Sequence, residues 1–351
     1  MTASPFLGVL FHAIGGLAAG SFYIPYKKVR NWSWETYWLV GGIFSWLIAP
    51  WVFAFILVHE PIETIMSADV TKVLLPTYGF GVLWGIGGLT FGLSMRYLGL
   101  SLGYAVALGF CAAFGTIIPP VVKGEAVDLV TTVPGAMTLL GVIVCLVGIG
   151  ICGKAGMMKE REVTTAEAQA TIAEFSLVKG LWVAVFAGIM SACMSYGFAA
   201  GAPIGKAAAE SGTMDQLRNV AMLPVVLLGG LTTNLIWCLI LSTANHSGKD
   251  YVNAKSAPLP MNYLFCAAAG VMWYLQFFFY GIGTTWMGKL NYTSWTIHMA
   301  FIIIFSTLWG LQFREWKGTS ARTRRMLSAG LATLIFSILI IGLGAKLVAP
   351  S

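Results

Sequence analysis

Charge is what this chain lacks most. Only 10% of its 351 residues are Asp, Glu, Lys or Arg, against about 25% in soluble domains. Apolar residues make up 58%, and the mean hydropathy is +0.80. A soluble fold would need polar faces on its helices, and the long apolar runs have none. The composition therefore excludes a soluble core and reads as a polytopic membrane protein. Metal-type cysteine pairs are missing too. Cys111, Cys145, Cys152, Cys193, Cys238 and Cys266 all fall in apolar runs and form no CxxC, so they read as reduced, unligated packing residues. The runs hold no HExxH and no Asp, which argues against an embedded enzyme. None has a central Lys or Arg, which a nucleotide sugar would call for. No basic residue precedes Lys27, so no cleavable signal peptide is expected. No cofactor or metal is called for.

What is present is ten apolar runs, at 6–25, 34–57, 73–95, 101–121, 136–153, 180–202, 219–242, 261–284, 292–313 and 326–348. A membrane-crossing helix needs about 20 such residues, and barrel strands would be shorter and alternating. The expected fold is all-α, with ten transmembrane helices. The formal charge of +7 is uneven: the loops after the odd-numbered spans hold 15 of the 21 Lys and Arg. That distribution argues against a nucleic-acid partner. Basic loops stay cytoplasmic, which puts "KKVR" at 27–30, the polar linker 154–179 and "RTRR" at 322–325 inside, and both termini in the periplasm. The linker reads as a solvated helix or tether without chemistry.

The chain also repeats itself. "GVLWGIGGLTFGLSMRYLG" at 81–99 matches "GVMWYLQFFFYGIGTTWMG" at 270–288, aligning Gly81, Trp84, Gly92 and Gly99 with Gly270, Trp273, Gly281 and Gly288. "VGGIFSWLI" at 40–48 matches "LGGLTTNLI" at 228–236, and Gly8 and Gly16 match Gly180 and Gly188. Two units of five helices result, 1–153 and 180–351. Five is odd, so the second unit must be inverted, an arrangement typical of secondary transporters with a substrate site at the repeat interface. A duplication without transport is the plainer alternative. Trp84 and Trp273 fall near mid-membrane, whereas Trp prefers the interface, and they read as walls of a cavity or as core packing. Gly81, Gly85, Gly88, Gly92 and Gly99 draw a small-residue stripe on span 3, where another helix can approach. In span 8 two of those positions are Tyr274 and Phe277, so the ring-rich second half is expected to set specificity.

The stretch "GVMWYLQFFFYGIG" at 270–283 places Gln276 among Trp273, Tyr274 and Tyr280. An amide in hydrocarbon must find partners. It is either glue between helices or a contact to a substrate that stacks on rings and bonds to amides, as a sugar does.

"FYIPYKKVRNWSWETYW" (22–38), "GVLWGIGGLTFGLSMRYLGLSLG" (81–103), "MWYLQFFFYG" (272–281), "SWTIHMAF" (294–301) and "REW" (314–316) resemble the L-rhamnose–proton symporter family of the drug/metabolite transporter superfamily. The resemblance runs from the first span to the last. It implies ten helices in two inverted repeats in the bacterial inner membrane. It also implies uptake of L-rhamnose, with L-lyxose or L-mannose as further sugars, driven by protons. The loops after spans 6 and 7 and the tail depart from the family. A drug/metabolite-type exporter or exchanger of another small metabolite is the competing reading.

Candidate sugar-binding residues are Trp84, Tyr104, Trp273, Tyr274, Gln276, Tyr280 and Trp295, with Tyr104 opposite Trp295 in the repeat register. A proton carrier must be titratable and reachable. The spans offer His298 and His12, either of which could instead be a structural histidine. His298 lies opposite Ala107 in the register and shares a helix face with Trp295, three residues before it. Glu35 is the third candidate, with an interfacial salt bridge to Lys27 or Lys28 as its plainer reading. Glu315 is a reserve.

Overall fold

A computed structural model describes residues 4–98, 100–122, 124, 126–163, 176–255, 257–314 and 316–347. Its described residues are helical and turn segments without strands. Ten helices are long and apolar enough to cross a membrane: spans 1 to 10 run Pro5–Tyr26, Trp34–Leu57, Val70–Ser94, Ala105–Val122, Val133–Glu162, Val178–Glu210, Asp215–Ala244, Leu259–Trp286, Asn291–Gln312 and Ala321–Gly344. The chain is an all-α, multi-pass membrane protein.

Several helices outrun their apolar runs. Span 5 continues to Val163, so the first ten residues of the linker are helix; residues 164–175 lie outside the described set. Span 6 ends in a second helix, Ala202–Glu210. Hydropathy marks only the hydrocarbon-crossing part of a helix, whereas backbone hydrogen bonding lets it run on into water. The end of span 5 is tied to the last span. Glu162 accepts bonds from the Ser320 amide and hydroxyl and from the Thr323 hydroxyl, so a carboxylate sits at the positive N-terminal end of span 10.

Prolines shape the helix interiors. Pro50 has no N–H and its ring crowds the carbonyl four residues back. Span 2 responds with a π turn at Phe44–Ile48, where the Ala49 amide reaches back to the Phe44 carbonyl. Span 3 opens the same way, with a π turn at Val70–Leu74 ahead of Pro76. In span 4, Pro119 deprives the Gly115 carbonyl of its usual donor. The Ser195 hydroxyl of span 6 supplies one at 3.1 Å. Tyr196 bonds to the Phe114 carbonyl at 2.9 Å, strapping spans 4 and 6 together.

Packing follows a pattern that exchanging the halves leaves unchanged. Span 1 packs between spans 8 and 9, and span 6 between spans 3 and 4. Span 5 packs on span 10, span 7 on span 3, and span 2 on span 8. The glycine stripe on span 3 contributes only in part. Gly81 and Gly85 meet span 7, and Gly87 meets Ser191 of span 6. Gly88 and Gly92 face open space, and Gly99 lies outside the described residues. The helical face drawn from spacing alone is therefore rotated: the tight approach runs through Gly81, Gly85 and Gly87.

Candidate functional site

Span 8 carries two clusters on one face, because residues seven apart return to nearly the same direction on a helix. The first surrounds Trp273. Its ring lies 4.2 Å from that of Phe22 and 6.1 Å from that of Phe277. Phe277 in turn meets Trp84 at 5.3 Å. Trp84 meets Trp46 at 6.2 Å, and Trp46 meets Trp38 at 6.1 Å. Trp84 and Trp273 are thus joined through one ring, with both half-buried. Phe277 is marked by the repeat; Phe22 and Trp38 are not singled out by sequence, because spans 1 and 2 meet span 8 only in three dimensions. Gln276 is 2% exposed, and its side-chain N–H₂ has no hydrogen-bond partner among the described residues. The indole N–H of Trp273 is likewise unpartnered. Tyr274 is turned about 100° away on the helix. It packs against Phe53 of span 2 at 5.0 Å, its hydroxyl buried without a partner.

The second cluster lies one to two turns further along span 8. Tyr280 touches His12 of span 1 at 5.4 Å, and His298 and Trp295 of span 9 at 5.3 and 5.4 Å. Phe198 of span 6 closes it at 4.8 Å. The two imidazoles are 6.1 Å apart, centre to centre, and both are fully buried. Glycines make room for them. A Cβ at Gly283 would lie 2.6 Å from the His12 ring, and one at Gly15 would lie 3.0 Å from the His298 ring. The His12 backbone lies near His298, yet no ring nitrogen of either histidine meets hydrogen-bond geometry with a partner among the described residues. Leaving such groups unpaired costs about 1–3 kcal/mol each.

The opposite half of the molecule shows what packing alone selects there. In the register that pairs Gly8 with Gly180 and Gly16 with Gly188, His12 falls on Ala184; His298 falls on Ala107. Ala107 and Ala184 are buried in one small apolar cluster with Ala187 and Leu98. Two alanines thus fill the place that two histidines take in the other half. Read with the register, Ala184 was a sequence signal that His12 and His298 are additions to one contact.

The remaining candidates fall elsewhere or are committed. Trp295 is 2% exposed and gives its indole N–H to the Cys111 carbonyl at 3.1 Å, with Gly115 directly beneath its ring. Its neighbour Thr296 bonds with Thr116. Trp295 thus braces span 4 while its ring abuts Tyr280 and His298. The side chain of Tyr104 lies outside the described residues. Glu35 is 3% exposed and accepts from Ser247 at 2.7 Å and Asn245 at 3.0 Å. The expected lysine pairing is not made. Lys27 and Lys28 lie over the Phe313 and Phe265 rings instead. Hydroxyl and amide donors from the loop after span 7 reach the carboxylate first because that loop folds back over the start of span 2. The hydrogen bonds given for Glu35 run to that loop and not to the histidine cluster. Glu315 lies outside the described residues.

Comparison with known proteins follows the same lines. A family model described as L-rhamnose-proton symport protein matches residues 1–347. The L-rhamnose-proton symporter of Cronobacter sakazakii is 42% identical over 342 residues, covering 96% of this chain and 97% of its own length. That of Citrobacter koseri is 40% identical over 343 residues, covering 96% and 97%. That of Mannheimia succiniciproducens is 37% identical over 348 residues, covering 98% and 99%. With a family model spanning nearly the whole chain and relatives matched end to end, the chain belongs to the L-rhamnose-proton symport protein family.

Proposed function

We propose that this chain imports L-rhamnose together with a proton across the bacterial inner membrane, with L-lyxose or L-mannose as further sugars. The observation that carries the reading is the pair of clusters on one face of span 8. Rings with an unpartnered amide stand beside two unpartnered imidazoles. The Trp84 and Trp273 faces stack on the flat C–H patches of the sugar, and Gln276 bonds to its hydroxyls. The proton rides on the His12–His298 pair. Two charged imidazoles 6.1 Å apart repel by about 3 kcal/mol at an effective dielectric near 20, so the pair takes one proton far more readily than two. Tyr280 touches both rings and sits one turn from Gln276, so protonation and sugar binding are read on the same helix face. Trp295 holds that face against span 4. Residues 1–153 and 180–351 act as two inverted five-helix repeats that rock about the site; the exchange pattern of helix packing supports this. Glu35, held by loop donors, serves as a brace at the start of span 2 and not as the proton carrier.

The test is sugar-induced proton movement. Adding L-rhamnose to right-side-out vesicles in weakly buffered medium turns the medium alkaline, and L-lyxose and L-mannose do so to a lesser extent. Sugar entry with no alkaline shift would leave a uniporter or an exchanger on the same fold. Orientation has its own test. With 15 of the 21 basic residues in the loops after odd-numbered spans, both termini are expected in the periplasm. A C-terminal alkaline phosphatase fusion is then active and a green fluorescent protein fusion dark. The reverse pattern would invert the topology.

A further inference from the structure

The π turn of span 2 carries polar atoms that nothing above uses. Ser45 is 1% exposed and Trp46 3%, and neither the Ser45 hydroxyl nor the Trp46 indole N–H has a hydrogen-bond partner among the described residues. The turn packs against spans 7 and 8, and Trp46 stands in the same ring cluster as Trp84 and Trp273. The repeat supplies an internal control. Aligning 40–48 with 228–236 pairs Gly42 with Gly230, Ser45 with Thr233 and Trp46 with Asn234. The glycines do the same work in both halves: Trp46 lies on Gly42, and Trp84 lies on Gly230. The polar residues do not. Thr233 donates to the Val82 carbonyl at 3.0 Å. Asn234 donates to the Gly230 carbonyl at 2.9 Å and accepts the Trp38 indole N–H at 3.0 Å. One copy is satisfied within the protein. The other is buried and unsatisfied beside the rings.

We infer that the Trp46 indole N–H and the Ser45 hydroxyl bind substrate hydroxyls, completing the sugar site from span 2 across from Trp273 and Gln276. This rests on the sugar-transport reading above. An indole N–H only donates, whereas a hydroxyl both donates and accepts. Together with the Gln276 amide they suit a ligand with several adjacent hydroxyls. A π turn suits the role, since it re-aims side chains relative to the flanking α-helix, and such turns recur at functional sites.

Trp46→Phe keeps a ring and removes the N–H; Ser45→Ala removes only an oxygen. Each is expected to weaken L-rhamnose binding by the purified full-length protein about tenfold, with the thermal midpoint in the absence of sugar unchanged. Deoxy analogues of L-rhamnose make the test specific. One analogue should bind the Trp46→Phe protein as well as L-rhamnose does, because the lost hydroxyl and the lost donor are one interaction. Thr233→Val is the control: it lowers the thermal midpoint and leaves sugar affinity as it was. Ser45→Ala and Trp46→Phe proteins that bind L-rhamnose as the wild type does would overturn the inference. So would a loss equal for every deoxy analogue, which marks a packing defect. A wild-type protein that binds no L-rhamnose would instead overturn the transport reading beneath it.

Discussion

His298→Gln is expected to abolish L-rhamnose accumulation and the alkaline shift that accompanies sugar entry, while sugar binding and exchange down a sugar gradient persist. Glutamine keeps hydrogen-bonding capacity but cannot titrate, so the substitution separates coupling from binding. His12→Gln is expected to give the same result, because the two rings form one buried contact and their nitrogens have no hydrogen-bond partner among the described residues. The double variant is no worse than either single one, as expected when two residues act as a unit. Glu35→Gln retains coupling, since Ser247 and Asn245 can still bond to an amide oxygen. The measurements are accumulation ratio, medium pH and counterflow in the same vesicles. A structural histidine pair would show a different pattern: expression and thermal midpoint fall, and the surviving protein stays coupled. Accumulation by all three variants would place the proton elsewhere, with Glu315 next to be tested.

Gln276→Leu and Trp273→Ala are each expected to weaken L-rhamnose binding roughly ten- to a hundredfold, the consequence of losing one amide pair or one stacking face at about 1–3 kcal/mol. Neither prevents insertion, because the Gln276 side-chain N–H₂ and the Trp273 N–H hold no hydrogen-bond partner among the described residues to lose. Leucine at 276 removes an unpaired buried amide, so the sugar-free protein is expected to be as stable as the wild type or slightly more so. That split, weaker binding without lower stability, distinguishes a substrate contact from interhelical glue. Titration of the purified variants with L-rhamnose, alongside thermal unfolding, reads both. Normal binding by both variants would return Gln276 to a packing role.

The sequence by itself determined the ten membrane crossings. Twenty apolar residues at 1.5 Å each span a bilayer whatever they pack against, so the crossings are written locally. It also singled out Trp84, Trp273, Gln276 and both histidines as candidates, since a tryptophan, an amide or an imidazole in hydrocarbon stands out against its neighbours in the chain. Helix ends past the hydrocarbon were not written there, because span 5 and span 6 run on where hydropathy has already fallen. Only the tertiary structure decided which of these residues meet. His12 and His298 are nearly three hundred positions apart, and their contact exists because Gly15 and Gly283 let spans 1, 8 and 9 approach closely. Trp295 reads in sequence as a candidate sugar contact, and only the structure shows that its N–H is given to span 4. Glu35 looked like a lysine's partner until the loop after span 7 folded over it. Ser45 and Trp46 are not singled out by sequence, although Trp46 stands at the middle of its apolar run; their unpaired donors stay hidden there, because an unpaired hydrogen bond is a property of what surrounds a group and not of the group itself. Crossing a membrane is decided residue by residue along one helix. Satisfying a polar atom inside it is decided by other helices, and that information is not local.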